Sequence, residues 1–305
     1  MNSMPMVSIV IPTYKRPQYL KRAIDSALNQ TYENIELIVV DDNNEGDIYR
    51  QETEKFMGTY TDSRIKYIKH KFNKNGSAAR NTGISISKGE YITFLDDDDE
   101  YHKNKIEKQV ECMEELDDSW VACYTLIKRY KNNKFIDKST DIKKGFIYHD
   151  VFKNELYFNS GSNLLIRSKT VKSIEGFDET FKRMQDLEFL IRVAEKGKIT
   201  CVEDYLLKVH LEDRQNAFNA DRFKNAISHF RETFTERINA LPYDTQKKVL
   251  LSKKLDLLRL IIYDRKYLLA TKFIFTNNIS FYVLFRYVVY IIMRRITKNC
   301  YGFKF

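Results

Sequence analysis

Five consecutive acids, Asp96-Asp97-Asp98-Asp99-Glu100, follow directly on the apolar run Tyr91-Ile92-Thr93-Phe94-Leu95. Carboxylates packed this closely raise one another's pKa unless a cation compensates. Hard oxygen donors suit Mg2+ or Mn2+, usually shared with substrate phosphates. The competing reading is a solvated acidic loop leading into a helix, whose N-terminus favours acids; the apolar strand feeding straight into the run favours the metal. Two more polar clusters end apolar runs in the same way. Pro12-Thr13-Tyr14-Lys15-Arg16 follows Val7–Ile11, and Asp41-Asp42-Asn43-Asn44 follows Ile35–Val40. No GxxxxGK[ST] loop and no strand-linked GxGxxG occurs, which argues against a P-loop NTPase and a dinucleotide oxidoreductase. A nucleotide here would be held through a metal and strand-end side chains.

These clusters need a scaffold that brings them to one rim. Val7–Ile11 reads as a buried strand. Pro17 suits a first helical turn, and Leu20, Ala23, Ile24, Ala27 and Leu28 form one apolar helix face. With the strand Ile35–Val40 they make a βαβ unit, hence a parallel pair with a right-handed crossover. A short strand at Ile65–Ile68, a helix over Ser77–Ser87 closed by Gly89, the strand Tyr91–Leu95 and a helix over 103–116 continue the alternation. That order predicts an α/β layered fold. All three polar clusters then lie at carboxyl ends of strands, where ligands bind in an open parallel sheet. After Trp120 the pattern loosens. A strand is expected over Asn163–Ile166, a helix over Leu187–Ala194, and helices from Asp221 onward.

The chain has 305 residues, 43% of them apolar, enough for one large domain with an extension or for two domains. Ten Gly and four Pro exclude collagen-like or low-complexity architecture. The net charge of +9 invites a nucleic-acid reading, but its distribution removes it. Tyr243–Phe305 holds 13 Lys/Arg and 3 Asp/Glu, leaving 38 basic and 39 acidic residues in the preceding 242. Within the tail, Ile279–Ile296 is apolar and aromatic, interrupted by Arg286 and closed by Arg294-Arg295. Such short runs cannot span about 30 Å of hydrocarbon. An interfacial helix facing anionic headgroups fits; a helical subdomain packed on the body, or a homo-oligomer interface, competes with it. Four scattered cysteines suggest reduced thiols in the cytoplasm.

The segments Val7–Arg16, Ser26–Tyr32, Glu36–Asp42, Ala79-Arg80-Asn81-Thr82-Gly83, Gly89–Asp99 and Gln185-Asp186-Leu187-Glu188-Phe189 resemble, in order and spacing, the family 2 glycosyltransferases over roughly residues 6–210. The resemblance implies a GT-A fold and inverting transfer from a nucleotide sugar, often UDP-linked. It implies that Pro12, Thr13 and Tyr14 line the base pocket, with Arg16 in the nucleotide-binding set. Asp42, with Asp41 beside it, would hydrogen-bond the base. Asp96 would lie near the ribose and Asp98 would bind Mn2+ or Mg2+; Asp97 and Asp99 leave that assignment open by one position. Asp186 matches the base that takes the acceptor hydroxyl proton, against the plain reading of a helix N-terminal acid. Arg80 approaches the nucleotide or anchors its helix. His210 holds the metal or diphosphate, or is structural. Ser160-Gly161-Ser162 resembles an acceptor-side loop. Lys15 and Asn43-Asn44 depart from the family's commoner Asn and Gly-Ser.

The expectation is therefore an α/β GT-A enzyme with a Rossmann-like mixed sheet flanked by helices. Its catalytic domain would span 1–215, with a nucleotide-binding half of about 1–100 and an acceptor half of about 101–215. A helical, basic-aromatic extension would cover 216–305. It would move a hexose or N-acetylhexosamine from a UDP-sugar to a glycan hydroxyl, with a lipid-linked acceptor, at the inner face of the cell membrane. A sugar nucleotidyltransferase would need a Gly-rich basic loop after the first strand, which Pro12–Arg16 is not. Asp98 and Asp186 together argue against a non-catalytic scaffold.

Overall fold

The computed structural model describes residues 4–211 and 220–305. In chain order the elements are β1 (Val7–Thr13), α1 (Pro17–Leu28), β2 (Ile35–Asp41), α2 (Ile48–Met57), β3 (Ile65–Lys69), α3 (Gly76–Ile86), β4 (Tyr91–Phe94), β5 (Glu100–Tyr101) and α4 (Lys105–Glu114). There follow β6 (Trp120–Lys131), β7 (Lys134–Ser139), α5 (Tyr148–Phe152), α6 (Ser160–Asn163), β8 (Leu165–Arg167), α7 (Ser168–Ser173), α8 (Gln185–Lys196) and β9 (Lys198–His210). The last are α9 (Ala220–Thr233), α10 (Thr235–Asn239), α11 (Tyr243–Tyr263), α12 (Tyr267–Thr276), α13 (Phe281–Thr297) and β10 (Asn299–Cys300). The described residues fall into two compact units.

The first unit runs to Ile136, includes Ile142–Ile147, and resumes at Phe158 through β9. Its sheet orders β6-β8-β4-β1-β2-β3. β1 lies parallel to β2 and β4, and β3 is parallel to β2. The sheet is mixed rather than fully parallel, because β8 runs antiparallel to both β4 and β6. The long β9 pairs parallel with β6 and antiparallel with β5, the two residues that follow Asp99. β1 and β2 are buried along nearly their whole length, as strands covered on both faces must be. α1 buries Leu20, Ala23, Ile24 and Ala27, the face its 3.6-residue period marks out. α3 sits hard on the sheet: a Cβ on Gly83 would meet Val10 Cγ1 at 2.3 Å, so only hydrogen fits between helix and strand.

Three local details differ from the sequence expectation. α2 has no clear apolar stripe; it buries Arg50 and Thr53 with Met57. The Arg50 guanidinium is satisfied by the carbonyls of Asp41, Asn43 and His70, partners invisible to a local pattern. The strand expected from Asn163 begins at Leu165 instead. Asn163 closes α6 because its amide and carbonyl are used as a buried hub. Its Nδ2 donates to the Thr125 and Phe158 carbonyls, its Oδ1 accepts from Thr125, and its carbonyl accepts from Lys105 and Gln109. The helix expected over 103–116 is two residues shorter at each end.

The second unit comprises Asp137–Asp141, Tyr148–Tyr157 and the chain from α9 onward. Leu255, Leu258 and Ile261 of α11 centre a buried cluster with Ala270, Ile279 and Tyr287. Phe152, Phe230 and Phe234 pack their rings at 4.9–6.3 Å between centroids. The C-terminal residues are tied in: β10 pairs with β7, Gly302 N–H donates to Asp141 Oδ2 at 2.7 Å, and Lys304 Nζ to the Glu155 carbonyl at 2.8 Å. The expected boundary at 215/216 lies outside the described residues. All four cysteines are free thiols.

Candidate active site

The loops after β1, β2 and β4 meet at one rim. Asp42 N–H donates to the Thr13 carbonyl and Lys15 N–H to Asn43 Oδ1, which joins the first two. Lys15 adopts φ +58°, which turns the loop back so that Arg16 points to the acid run. Thr13 Oγ1 donates to Asp97 Oδ2 at 2.8 Å. The Arg16 guanidinium reaches Asp97 at 3.3 Å and Asp98 at 2.8 Å. Arg22, one turn into α1, donates to the Asp98 carbonyl.

The acid run is thus not one solvated cluster. Asp97, Asp98 and Asp99 are buried, and each takes different partners. Burial and the neighbouring Asp98 raise the Asp97 carboxyl to about 7, against the pull of Arg16. Burial, then Asp98 and Asp96, push Asp99 well above the usual carboxylate range. Asp99 accepts from the His210 backbone N–H at 3.1 Å. Glu100 goes the opposite way: a hydrogen bond from His210, together with Lys208 at 2.8 Å, outweighs its burial and lowers it to about 2. His210 therefore lies at the rim through its backbone contact with Asp99 and its ring contacts with Glu100 and Tyr130.

Asp96, a quarter exposed, pairs with Arg80 Nη2 at 2.6 Å. Arg80 comes from α3 and is buried against the Phe177 ring. Its charge is held by Asp96 and Asp186, which outweigh the cost of burial. Asp186 sits in the first turn of α8, entered through Met184 at φ +62°. That turn presents backbone N–H groups and a positive dipole end. α6 lies against it so closely that a Cβ on Gly161 would come 2.9 Å from Asp186 Oδ2. Next in α6, the Ser162 hydroxyl accepts from Asp96 N–H at 3.0 Å and bonds Asp99. Arg80 and α6 thus bring Asp186 and Asp96 into one polar network.

Asp41 and Asp42 point into the β2 end. Asp41 is filled by Tyr67 OH at 2.5 Å, Arg50 Nε at 2.9 Å and its own turn through Asn43. Asp42 accepts four bonds from the segment before α3: His70 Nδ1 at 2.7 Å, Asn73 Nδ2 at 2.6 Å, Lys74 N–H at 2.8 Å and Asn75 N–H at 3.0 Å. Of the first cluster, Pro12 is half-buried and Tyr14 exposed, with Lys15 Nζ 5.2 Å from the Tyr14 ring centre. Sequence reasoning had not singled out Arg22 or His70; their contacts are 76 and 28 residues away and carry no local signal. Among the described residues, no three His, Cys, Asp or Glu side chains converge as a metal cluster.

Comparison with known proteins follows the same lines. Residues 8–174 match the family described as glycosyl transferase family 2. An uncharacterised glycosyltransferase of Methanocaldococcus jannaschii is 33% identical over 239 residues, 74% of this chain and 78% of that protein. The Escherichia coli UDP-Glc:alpha-D-GlcNAc-diphosphoundecaprenol beta-1,3-glucosyltransferase WfgD is 26% identical over 219 residues, 72% and 81% of the two chains. Residues 1–349 of S. aureus TarS, solved in complex with UDP-GlcNAc, match with a TM-score of 0.58 at 15% identity, covering 84% of this chain and 81% of that one. The fold is the α/β GT-A fold expected from the sequence.

Proposed function

Because this chain belongs to glycosyl transferase family 2 and is a glycosyltransferase, we propose that it moves a sugar from a UDP-linked hexose or N-acetylhexosamine to a hydroxyl of a glycan acceptor. The observation that carries the reading is the network just described. One buried arginine pairs directly with the strand-end acid Asp96 and has its charge favoured by Asp186, the acid at a helix N-terminus.

In this reading the acceptor oxygen attacks the anomeric carbon as the bond to the diphosphate breaks, and configuration inverts. Asp186 takes the hydroxyl proton. Gly161, lacking a Cβ, lets α6 lie directly against the Asp186 carboxylate and so helps set its position. Arg80 holds Asp96 directly and lends its charge to the side of the site where Asp186 stands. Tyr14 and the segment 70–75, which Asp42 holds in place, wall the base. The His70 contact to Thr82 Oγ1 at 2.9 Å fixes that segment to α3.

The donor set fits a divalent cation, Mn2+ or Mg2+, that arrives with the diphosphate rather than residing in a protein cage. Asp98 and Asp96 offer hard oxygens, and such ions complete their shells with phosphate and water. When bound, the cation neutralises charge on the leaving diphosphate. Asp98 is buried and paired with Arg16, itself 30% exposed, so a cation binding there would compete with that guanidinium for the carboxylate. The acceptor we assign is a lipid-linked glycan, as the name of the E. coli relative describes for that protein. We assign the catalytic domain to 1–215 and the helical extension to 216–305, with Asp137–Asp141 and Tyr148–Tyr157 of the former belonging to the second compact unit.

The test is UDP release from a panel of UDP-sugars, with and without Mn2+. Donor-dependent UDP release that disappears in Asp186→Asn, while UDP still binds, supports the reading. Wild-type protein that neither binds nor cleaves any UDP-sugar sinks it.

A further inference from the structure

We propose that the outer face of α12 and α13 is a docking surface for an anionic lipid bilayer, lying in the headgroup interface. The inner side of α13 packs Tyr287, with Leu284 and Ile291, on the cluster centred on α11. The outer side is also apolar. Phe281, Phe285, Val288, Ile292 and Ile296 recur every three or four residues, and all are exposed. Phe285 is 68% exposed, Ile296 71% and Leu268 on α12 90%. Phe275 at the end of α12 meets Phe281 edge-on at 6.4 Å, so the two helices share one apolar surface. A continuous exposed patch of this kind marks an interaction site.

Charge chooses the occupant. From Arg265 to Phe305 there are eight Lys/Arg and no Asp or Glu. Arg265 and Lys272 are exposed around α12, and Arg295 and Lys298 at the end of α13. Cations rimming an apolar helix face suit anionic headgroups. A second copy would set the same cations against each other. No helix among the described residues is long and apolar enough to cross a membrane; α13, at 17 residues, is only about 25 Å long. The helix therefore lies on the bilayer. These residues are all outside the sugar-transfer site. Failure of this proposal leaves that reading standing, and the reverse holds too.

The experiment is co-sedimentation of the full chain with phosphatidylcholine vesicles and with equimolar phosphatidylcholine–phosphatidylglycerol vesicles. The expected result is pelleting with the anionic vesicles only. The Arg295→Gln, Lys298→Gln double variant should weaken that partition by about thirtyfold, from roughly a fivefold contribution per cation. Phe285→Asp and Ile292→Asp should abolish pelleting while the melting temperature and UDP-sugar cleavage stay at wild-type values, since both side chains face outward. Wild-type protein left in the supernatant with anionic vesicles overturns the proposal. So does Phe285→Asp pelleting as wild type, or a wild-type dimer in sedimentation equilibrium that Phe285→Asp dissolves.

Discussion

Gly161→Ala probes the proposed base without touching it. A methyl at Gly161 would stand 2.9 Å from Asp186 Oδ2, 3.1 Å from Cγ and 3.3 Å from Oδ1. Comfortable contact for such atoms begins near 3.5 Å, so the carboxylate must retreat by about half an ångström. Gly161 does not occupy the left-handed region, so alanine adds no backbone strain. The effect is therefore confined to where Asp186 sits. A misplacement of about 1 Å costs on the order of a hundredfold in a positioned reaction. Half that distance predicts a kcat lower by about tenfold, with UDP affinity changed by less than about twofold. Overpacking costs folding about 1–3 kcal/mol, which a melting curve will show separately. Steady-state transfer from the UDP-sugar to a glycan acceptor, beside calorimetric UDP binding, gives both numbers. A folded Gly161→Ala enzyme with wild-type kcat would refute the reasoning: the carboxylate facing Gly161 would then not be the group that takes the proton.

Three further outcomes are expected. Asp186→Asn should lower kcat by about 10²- to 10⁴-fold, the usual worth of a general base, with UDP binding retained in calorimetry; equal loss of binding would reassign Asp186 to the donor. Arg16→Gln leaves Asp97 and Asp98 without their shared guanidinium and should destabilise the fold by about 1–3 kcal/mol, because the pair is only partly solvent-covered. It should also weaken UDP-sugar binding; a more stable variant that binds donor normally would remove Arg16 from the site. Lys105 gives the pH test. It is fully buried, over the Tyr101 ring at 4.2 Å, and burial lowers its ammonium to about 7. Below pH 7 both folded and unfolded chains hold the proton, and the fold bears the whole cost of the buried charge. Between about 7 and 10.5 the unfolded chain binds more protons, so stability rises with pH by up to about 1.4 kcal/mol per unit. Urea midpoints from pH 6 to 9 should climb for wild type relative to Lys105→Met, and parallel curves would contradict the assignment.

The parts of the fold that local pattern governs were legible in the sequence. β1 and β2 are continuous apolar runs because both faces of their strands are covered, and α1 repeats its apolar residues at the helical period because one stripe meets the sheet. α2 escaped because its inner face uses Arg50, whose burial is tolerable only through three carbonyls brought by tertiary structure. Asn163 looked like the start of a strand because its neighbours are apolar; its five hydrogen-bond roles come from residues up to 58 positions away. Convergence of the polar clusters on one rim was legible for a related reason: parallel strands put their carboxyl ends together whatever the loops contain.

The acid run shows where such reading stops. As a string it is five equal carboxylates, and an assignment within it slides by one position. In the fold the degeneracy disappears, because successive residues in an irregular turn face different walls. Asp96 turns toward α3 and meets Arg80; Asp97 turns toward β1 and meets Thr13; Asp98 shares Arg16; Asp99 faces β9 and Glu100 the end of that strand. The partners also separate their charges. Glu100, with two cationic or hydrogen-bonding neighbours, is held ionised down to about 2, whereas Asp97 and Asp99 are raised and take up protons readily. The run therefore presents far less negative charge to a diphosphate than its composition implies. Asp96 alone combines measurable exposure with a fixed guanidinium beside it. At this rim Asp96 stands with Arg80 and Asp98 with Arg16, while Glu100, 27% exposed, is held by Lys208 and His210. That division of partners follows from burial and ion pairing, and no spacing rule along the chain contains it.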